Sequence, residues 1–208
     1  MNDTIPLKFP RLIALFLAWA WSLISLAFCI NAFVKSKRDE KDIQSEAPPP
    51  AEVSINTNDV TQAGAVVATI SALILILTTL FIGIIIIDAN SRSGISTRTL
   101  PLQYISLGFL AVWLFATEIP VSHFIATRSA RVVASINGIQ LPSDALGVIE
   151  RALGVSTAYK DFSYLKLLAI LPWFAFLFTL VAAVVTFQAS RRRAPLVPEK
   201  SAEPTSAA

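Results

Sequence analysis

The sequence has only one cysteine, Cys29, and only one histidine, His123. A single cysteine excludes an internal disulfide, and these two residues are too few for a cluster with metal-ligand spacing. Because Cys29 lies within an apolar run, we interpret it as a packing residue rather than a reactive thiol. Glycine-rich phosphate loops and paired nucleophile and base motifs are missing as well. The sequence therefore predicts no metal, no cofactor and no enzymatic activity.

Charged residues are also scarce: they make up 15% of the 208 residues, whereas 54% are hydrophobic, and the mean hydropathy is +0.64. So few polar residues cannot coat a soluble globule of this size. We therefore expect the lipid bilayer as the main partner and no binding of nucleic acid. A bilayer core of about 30 Å needs roughly 20 apolar residues in a helix. Four stretches are long enough: residues 12–34, 60–87, 102–127 and 167–188.

These four spans predict an all-α integral membrane protein, a four-helix transmembrane bundle over residues 12–188. A short tail, residues 1–11, precedes the bundle, and a tail at 189–208, rich in Ala, Pro, Ser and Glu, is predicted to be disordered. The first span has an alternative interpretation as a cleaved signal peptide that ends near Ala27. The apolar run continues to Val34, and this favours an uncleaved anchor.

The two longer connections differ in character. Residues 35–59 combine mixed charges with three prolines, and this composition predicts a flexible segment. In the connection 128–166, Asn137-Gly138 is typical of a hairpin turn, and Ser143 is a suitable cap for a short amphipathic helix. An irregular loop with a turn at Asn137-Gly138 is the alternative. Val53 to Ile55 would add a further strand to the same small sheet.

With four spans, both termini lie on the same side of the membrane. Lys and Arg are nearly balanced between the two sides, but Arg191, Arg192 and Arg193 stand together directly against the fourth span. Their density favours a cytoplasmic location for both termini. We interpret these three residues as a topology signal and as a contact for anionic lipid.

Glu118 is a charged residue inside the third predicted span. If that span runs to Thr127, the carboxylate is well inside the membrane, where a charge is costly enough to suggest a function. If the span ends at Pro120, the carboxylate is interfacial and the cost nearly vanishes. Four more polar residues lie near the same ends of the spans: Asn31, Gln62, His123 and Lys166. One hypothesis is a polar pocket that responds to protons or cations, with Lys166 as the counter-ion of Glu118. The alternative is that these groups reach the interface and pair to fix helix packing. Pro120 predicts a bend beside Glu118.

The second span carries small residues at a spacing of four, Gly64, Ala68 and Ala72. They lie on one helix face, and such a face predicts close approach of another helix. The alternative is the ordinary abundance of small residues in membrane helices. Possible partners for helix association are a second copy of the chain and another membrane protein.

Two short tails, four spans and a long second outer connection resemble the four-helix tetraspan membrane proteins, including the MARVEL-type group. The resemblance covers the topology of residues 12–188. The paired cysteines and the Trp-Gly-Leu-Trp type signature of claudin-like tetraspans are missing, so no family residue is carried over. The resemblance implies a non-enzymatic role in organising or scaffolding membrane partners. The alternative function is a small transporter, channel or channel accessory subunit that uses Glu118.

Overall fold

Four long helices make up most of the described chain. The computed structural model describes residues 7–46, 51–56, 58–91, 94–127, 131–136, 139–140 and 163–192. In chain order the elements are α1 (Lys8–Glu46), β1 (Ala51–Asn56), α2 (Asn58–Ser91), α3 (Ile95–Arg98), α4 (Leu100–Thr127), β2 (Arg131–Ile136), β3 (Ile139–Gln140) and α5 (Ser163–Arg191). Each long helix contains a segment that is long and apolar enough to cross a membrane: Lys8–Arg38, Thr61–Asn90, Leu100–Thr127 and Ser163–Arg191. The prediction of four long apolar helices is confirmed.

The long helices form a ring in which α1 packs against α2 and α5, and α4 packs against the same two helices. Helices α1 and α4 therefore lie diagonally across the bundle. We call the end with the first residues of α1 and α4 the terminal end, and the opposite end the distal end. Residues Leu100 and Arg191 lie at the terminal end, and Thr127 and Ser163 lie at the distal end.

The buried side chains of each long helix recur alternately three and four residues apart. This spacing places them in one line along the helix and is typical of left-handed coiled-coil packing. We call each line the buried stripe of its helix. The stripes are Arg11, Leu15, Ala18, Ser22, Ser25, Cys29 and Ala32 in α1; Val67, Ser71, Ile74, Thr78, Phe81, Ile85 and Asp88 in α2; Leu107, Ala111, Leu114, Glu118, Val121 and Ile125 in α4; and Leu165, Leu168, Pro172, Ala175, Thr179, Ala182, Thr186 and Ala189 in α5.

Aromatic side chains add specific contacts between neighbouring helices. Trp21 of α1 stacks on Phe174 of α5 with ring centroids 4.8 Å apart. On the other side of α1, Trp19 Nε1 donates a hydrogen bond of 3.0 Å to Thr79 Oγ1 of α2. Because both tryptophans contact a neighbouring helix, they stabilise helix pairing.

A small antiparallel sheet lies at the distal end, with β2 between β1 and β3. Ala51 of β1 is opposite Ile136 of β2, and Asn56 is opposite Arg131. Ile136 of β2 is in turn opposite Ile139 of β3. The predicted turn at Asn137-Gly138 and the predicted amphipathic helix from Ser143 lie outside the described residues.

The prediction of a flexible segment directly after the first span is wrong for residues 35–46. These residues continue α1 as far as Glu46. Lys, Arg, Glu and Gln are strong helix formers, so the segment can extend a helix that the apolar span has already nucleated. The helix α4 also continues through Pro120 to Thr127, so the third span does not end at the proline.

Candidate functional site: a buried carboxylate in the bundle interior

The five polar residues predicted to form a pocket are divided by the fold. Glu118 has no exposed side-chain surface. In contrast, Asn31, Gln62, His123 and Lys166 are all exposed on the outside of the bundle. Each of the four exposed residues lies one or two positions away from a buried residue of its helix: Ala32, Gly64, Val121 and Leu165, respectively. The structure therefore does not bring these four side chains together around Glu118.

Glu118 lies well inside the length of α4. This helix has 28 residues, or about 42 Å at 1.5 Å per residue, and Glu118 is about 7 Å from its midpoint. In a bilayer core of about 30 Å centred on the helix, the carboxylate would lie within the hydrocarbon region. An ionised Glu118 would therefore carry the free-energy cost of a charged side chain in the membrane interior.

Hydrogen bonds link Glu118 to α5 through Ser122. The hydroxyl of Ser122 lies 3.4 Å from Glu118 Oε1 and also 3.4 Å from the backbone carbonyl oxygen of Ala169. A hydroxyl has a single proton, so it donates to one of these acceptors at a time. Trp173 Nε1 of α5 donates a hydrogen bond of 3.2 Å to Ser122 Oγ. The second carboxylate oxygen, Oε2 of Glu118, has no hydrogen-bond partner among the described residues.

On the opposite side, Glu118 faces a group of small polar residues from α1 and α2. The Glu118 carboxylate interacts electrostatically with the buried Cys29 thiol, which hydrogen-bonds to Ser25. Ser25 Oγ lies 3.1 Å from Ser71 Oγ of α2. One turn toward the terminal end, Ser22 is buried and its hydroxyl has no partner among the described residues. Cys29 is thus a packing residue that also contacts this polar group.

The fold contains a second buried polar group, which sequence reasoning missed. Arg11 of α1 is fully buried and crosses the bundle, so that its Nη2 donates a hydrogen bond of 2.9 Å to Gln103 Oε1 of α4. Its two terminal nitrogens also lie 3.5 Å from Ser96 Oγ of α3. The nearby Asp88 interacts electrostatically with Arg11, and this compensates part of the cost of burying the guanidinium.

Asp88 also holds the connection between α2 and α4 in place. Its carboxylate accepts hydrogen bonds from the backbone N–H groups of Gly94 and Ser96. Gly94 has φ of 70°, a left-handed conformation that favours glycine. The chain therefore folds back at the end of α2, and α3 brings Ser96 to Arg11. We call Arg11, Asp88, Ser96 and Gln103 the terminal-end network.

The predicted packing residues of α2 lie at or beside its buried stripe. Gly64 is buried, and a Cβ atom added to it would lie 3.5 Å from Phe33 Cζ of α1 and 3.6 Å from Leu168 Cδ2 of α5. Ala68 is partly buried and packs against the apolar core that includes Leu168. Ala72 is half-buried.

Of the three predicted lipid-contact residues, the structure describes two. Arg191 is the last residue of α5, and its guanidinium lies 4.6 Å from the centroid of the Phe187 ring. Arg192 follows and is exposed. Arg193 lies outside the described residues.

Comparisons of the chain with protein-family models, with curated proteins and with solved structures found no match. The resemblance to MARVEL-type tetraspans therefore stays a prediction from the sequence.

Proposed function

We propose that the chain is a non-enzymatic, multi-pass membrane protein that organises membrane partners by helix association. All four long helices expose large apolar side chains on their outer faces, among them Phe16, Ile76, Phe109 and Ile170. Contiguous apolar surface of this kind is typical of a lipid-facing belt or of a contact with other membrane helices. The axis of the bundle is occupied by stripe residues such as Leu15, Leu107 and Leu114, which supports a packing role for the bundle.

The observation that carries this proposal is a groove of about 410 Å³ between α2 and α4 on the outside of the bundle. Helix α2 contributes Gln62, Ala63 and Val66 to its lining. Helix α4 contributes Ala116, Thr117, Pro120 and Phe124. The small side chains Ala63 and Ala116 would let a further helix approach closely. Gln62, a predicted site residue, lies in this groove rather than beside Glu118.

The occupant that we propose is a second copy of this chain. The side-chain amide of Gln62 both donates and accepts hydrogen bonds, so it can pair with its own counterpart across a two-fold axis. Such contacts between polar side chains stabilise helix association in membranes. A dimer formed through this groove would present two bundles and two distal-end sheets to further partners.

Energy transfer between donor-labelled and acceptor-labelled copies in phosphatidylcholine vesicles tests this assignment. Ala63→Phe and Ala116→Phe fill the groove and should reduce the transfer that the original chain gives. The matched control is Ala27→Phe, which adds the same ring to an exposed alanine of α1 and should leave the transfer unchanged. Equal transfer for all three variants, or no transfer from the original chain, would rule out the groove as a self-association surface.

The proposed orientation places both termini in the cytoplasm. At the terminal end the basic residues Arg98, Arg191 and Arg192 are exposed, and a concentration of positive charge beside a span favours the cytoplasmic side. Protease protection of a tag added after residue 208, in sealed inside-out and right-side-out vesicles, measures this directly. Cleavage of the tag only in right-side-out vesicles would show that the termini lie on the opposite side and would contradict the proposed orientation.

A second candidate function is transport, alone or as a subunit of a larger channel. It is favoured by the unpartnered Oε2 of Glu118 inside the bundle, because buried ionisable groups in membrane helices commonly mark ion pathways. Ion or proton flux through purified, reconstituted protein that Glu118→Gln abolishes would support transport over the organising role. Absence of flux in both forms would favour the organising role.

A further inference from the structure

Glu118 is a carboxylate without a positively charged neighbour among the described residues. At its level α1 presents Cys29 and Ser25, α2 presents Ser71, and α5 presents Trp173. Cys29 is the one other titratable group in this set, and its thiol brings no positive charge. His123 follows on α4 itself but is exposed on the outer face. A buried charge that no positive charge compensates is costly, so a bound proton that neutralises Glu118 would stabilise the bundle.

The hydrogen bonds around Ser122 connect the carboxyl group of Glu118 with Ala169 and Trp173 of α5. An ionised carboxylate is a stronger acceptor than a backbone carbonyl, so it attracts the Ser122 hydroxyl proton. A neutral carboxylic acid is a weaker acceptor, and it leaves Ser122 free to donate to the Ala169 carbonyl oxygen at the same distance of 3.4 Å. Trp173 donates a hydrogen bond to the oxygen of Ser122. The surroundings of its indole N–H therefore differ according to whether Ser122 donates to Glu118 or to Ala169.

We propose that Glu118 is a reversible proton-binding site, and that Ser122 transmits its state of protonation to Trp173 on α5. The proton comes from the aqueous phase and forms an O–H bond at Oε2, the oxygen without a partner. The carboxylate becomes a neutral acid, and no group is oxidised or reduced. The inference goes beyond the proposed organising function, since proton binding requires neither transport nor self-association.

Infrared difference spectroscopy of the full chain in phosphatidylcholine vesicles measures the carboxyl group itself. As the pH rises, a C=O stretching band of a protonated carboxylic acid should be lost and carboxylate bands should appear. Glu118→Gln should remove this pH-dependent band, and Cys29→Ser should retain it. Glu118→Asp keeps an acid on a shorter side chain, so it should give a band at a shifted frequency and serves if the Gln variant does not fold.

Trp173 fluorescence provides the second measurement. In a chain in which the other three tryptophans are replaced by Phe, the emission of Trp173 should change with pH over the same range as the infrared band. Ser122→Ala should abolish the emission change while it leaves the infrared band intact, because it removes the link and keeps the acid. If the original chain shows no protonated carboxyl band, or if Glu118→Gln retains the band, Glu118 is not a proton-binding site. An unchanged Trp173 titration in Ser122→Ala would disprove the transmission step.

Discussion

Arg11 and Gln103 meet across the diagonal of the bundle, where Arg11 Nη2 donates a hydrogen bond of 2.9 Å to Gln103 Oε1. Their helices, α1 and α4, are not neighbours in the ring, and both side chains are fully buried. The terminal-end network therefore joins α1, α3 and α4 through polar contacts, and Asp88 adds α2. At the terminal end, charge and hydrogen bonds contribute to helix packing together with apolar contacts.

Arg11→Leu tests the contribution of this network to stability. The variant loses the hydrogen bonds to Gln103 and Ser96 and removes a positive charge near Asp88, so we expect the free energy of unfolding to fall by about 3 kcal/mol. Arg11→Lys keeps the positive charge but loses the planar guanidinium that donates several hydrogen bonds. Its free energy of unfolding should therefore lie between those of the original chain and Arg11→Leu. Denaturant unfolding in detergent micelles, followed by circular dichroism, gives the values. Lys8→Leu is the control, because Lys8 is half-buried in the same turn of α1; an equal loss in both Leu variants would contradict the assignment.

Gly64→Leu tests close packing at the small-residue face of α2. The space beside Gly64 accommodates a methyl group at ordinary contact distances from Phe33 and Leu168, so Gly64→Ala should be tolerated. A leucine overfills this space and should cost about 2 kcal/mol. Gly108→Leu is the matched control on α4, since a Cβ atom there meets nothing within 4 Å. Stability of Gly64→Leu at the level of Gly108→Leu would show that the helices are not closely packed at this point.

The Ser25–Ser71 contact joins α1 to α2 through two hydroxyl oxygens 3.1 Å apart. A double-mutant cycle with Ser25→Ala and Ser71→Ala should give a coupling free energy of about 0.6 kcal/mol, the average for hydrogen bonds between membrane helices. Unfolding of the four proteins in the same micelles provides the measurement. A coupling of zero would place the two hydroxyls out of contact in the folded protein.

The apolar runs predicted the four long helices because a run of that length is incompatible with an ordinary core strand. Hydropathy does not say which side of a helix faces inward, and for this reason the sequence predicts one pocket for Glu118, Asn31, Gln62, His123 and Lys166. The alternation of three and four residues would have separated them. Glu118 is in line with Leu114, Val121 and Ile125, whereas His123 is not.

Arg11 was the other residue that hydropathy could not place. In the sequence it stands at the start of an apolar run, where a basic residue usually indicates topology. The same three-and-four spacing links it to Leu15, Ala18 and Ser22, all of which are buried. Its partners Gln103 and Ser96 are distant in sequence, so only the folded chain reveals the terminal-end network.

A spin-label scan of positions 114 to 125, one cysteine at a time in a Cys29→Ser background, tests the central claim that Glu118 faces the interior of the bundle. Collision with oxygen, which dissolves in the bilayer, reports exposure of each label to lipid. We predict minima in accessibility at positions 114, 118, 121 and 125, with high values at 115 and 119. A label at position 118 that oxygen reaches as readily as one at position 119 would contradict this account.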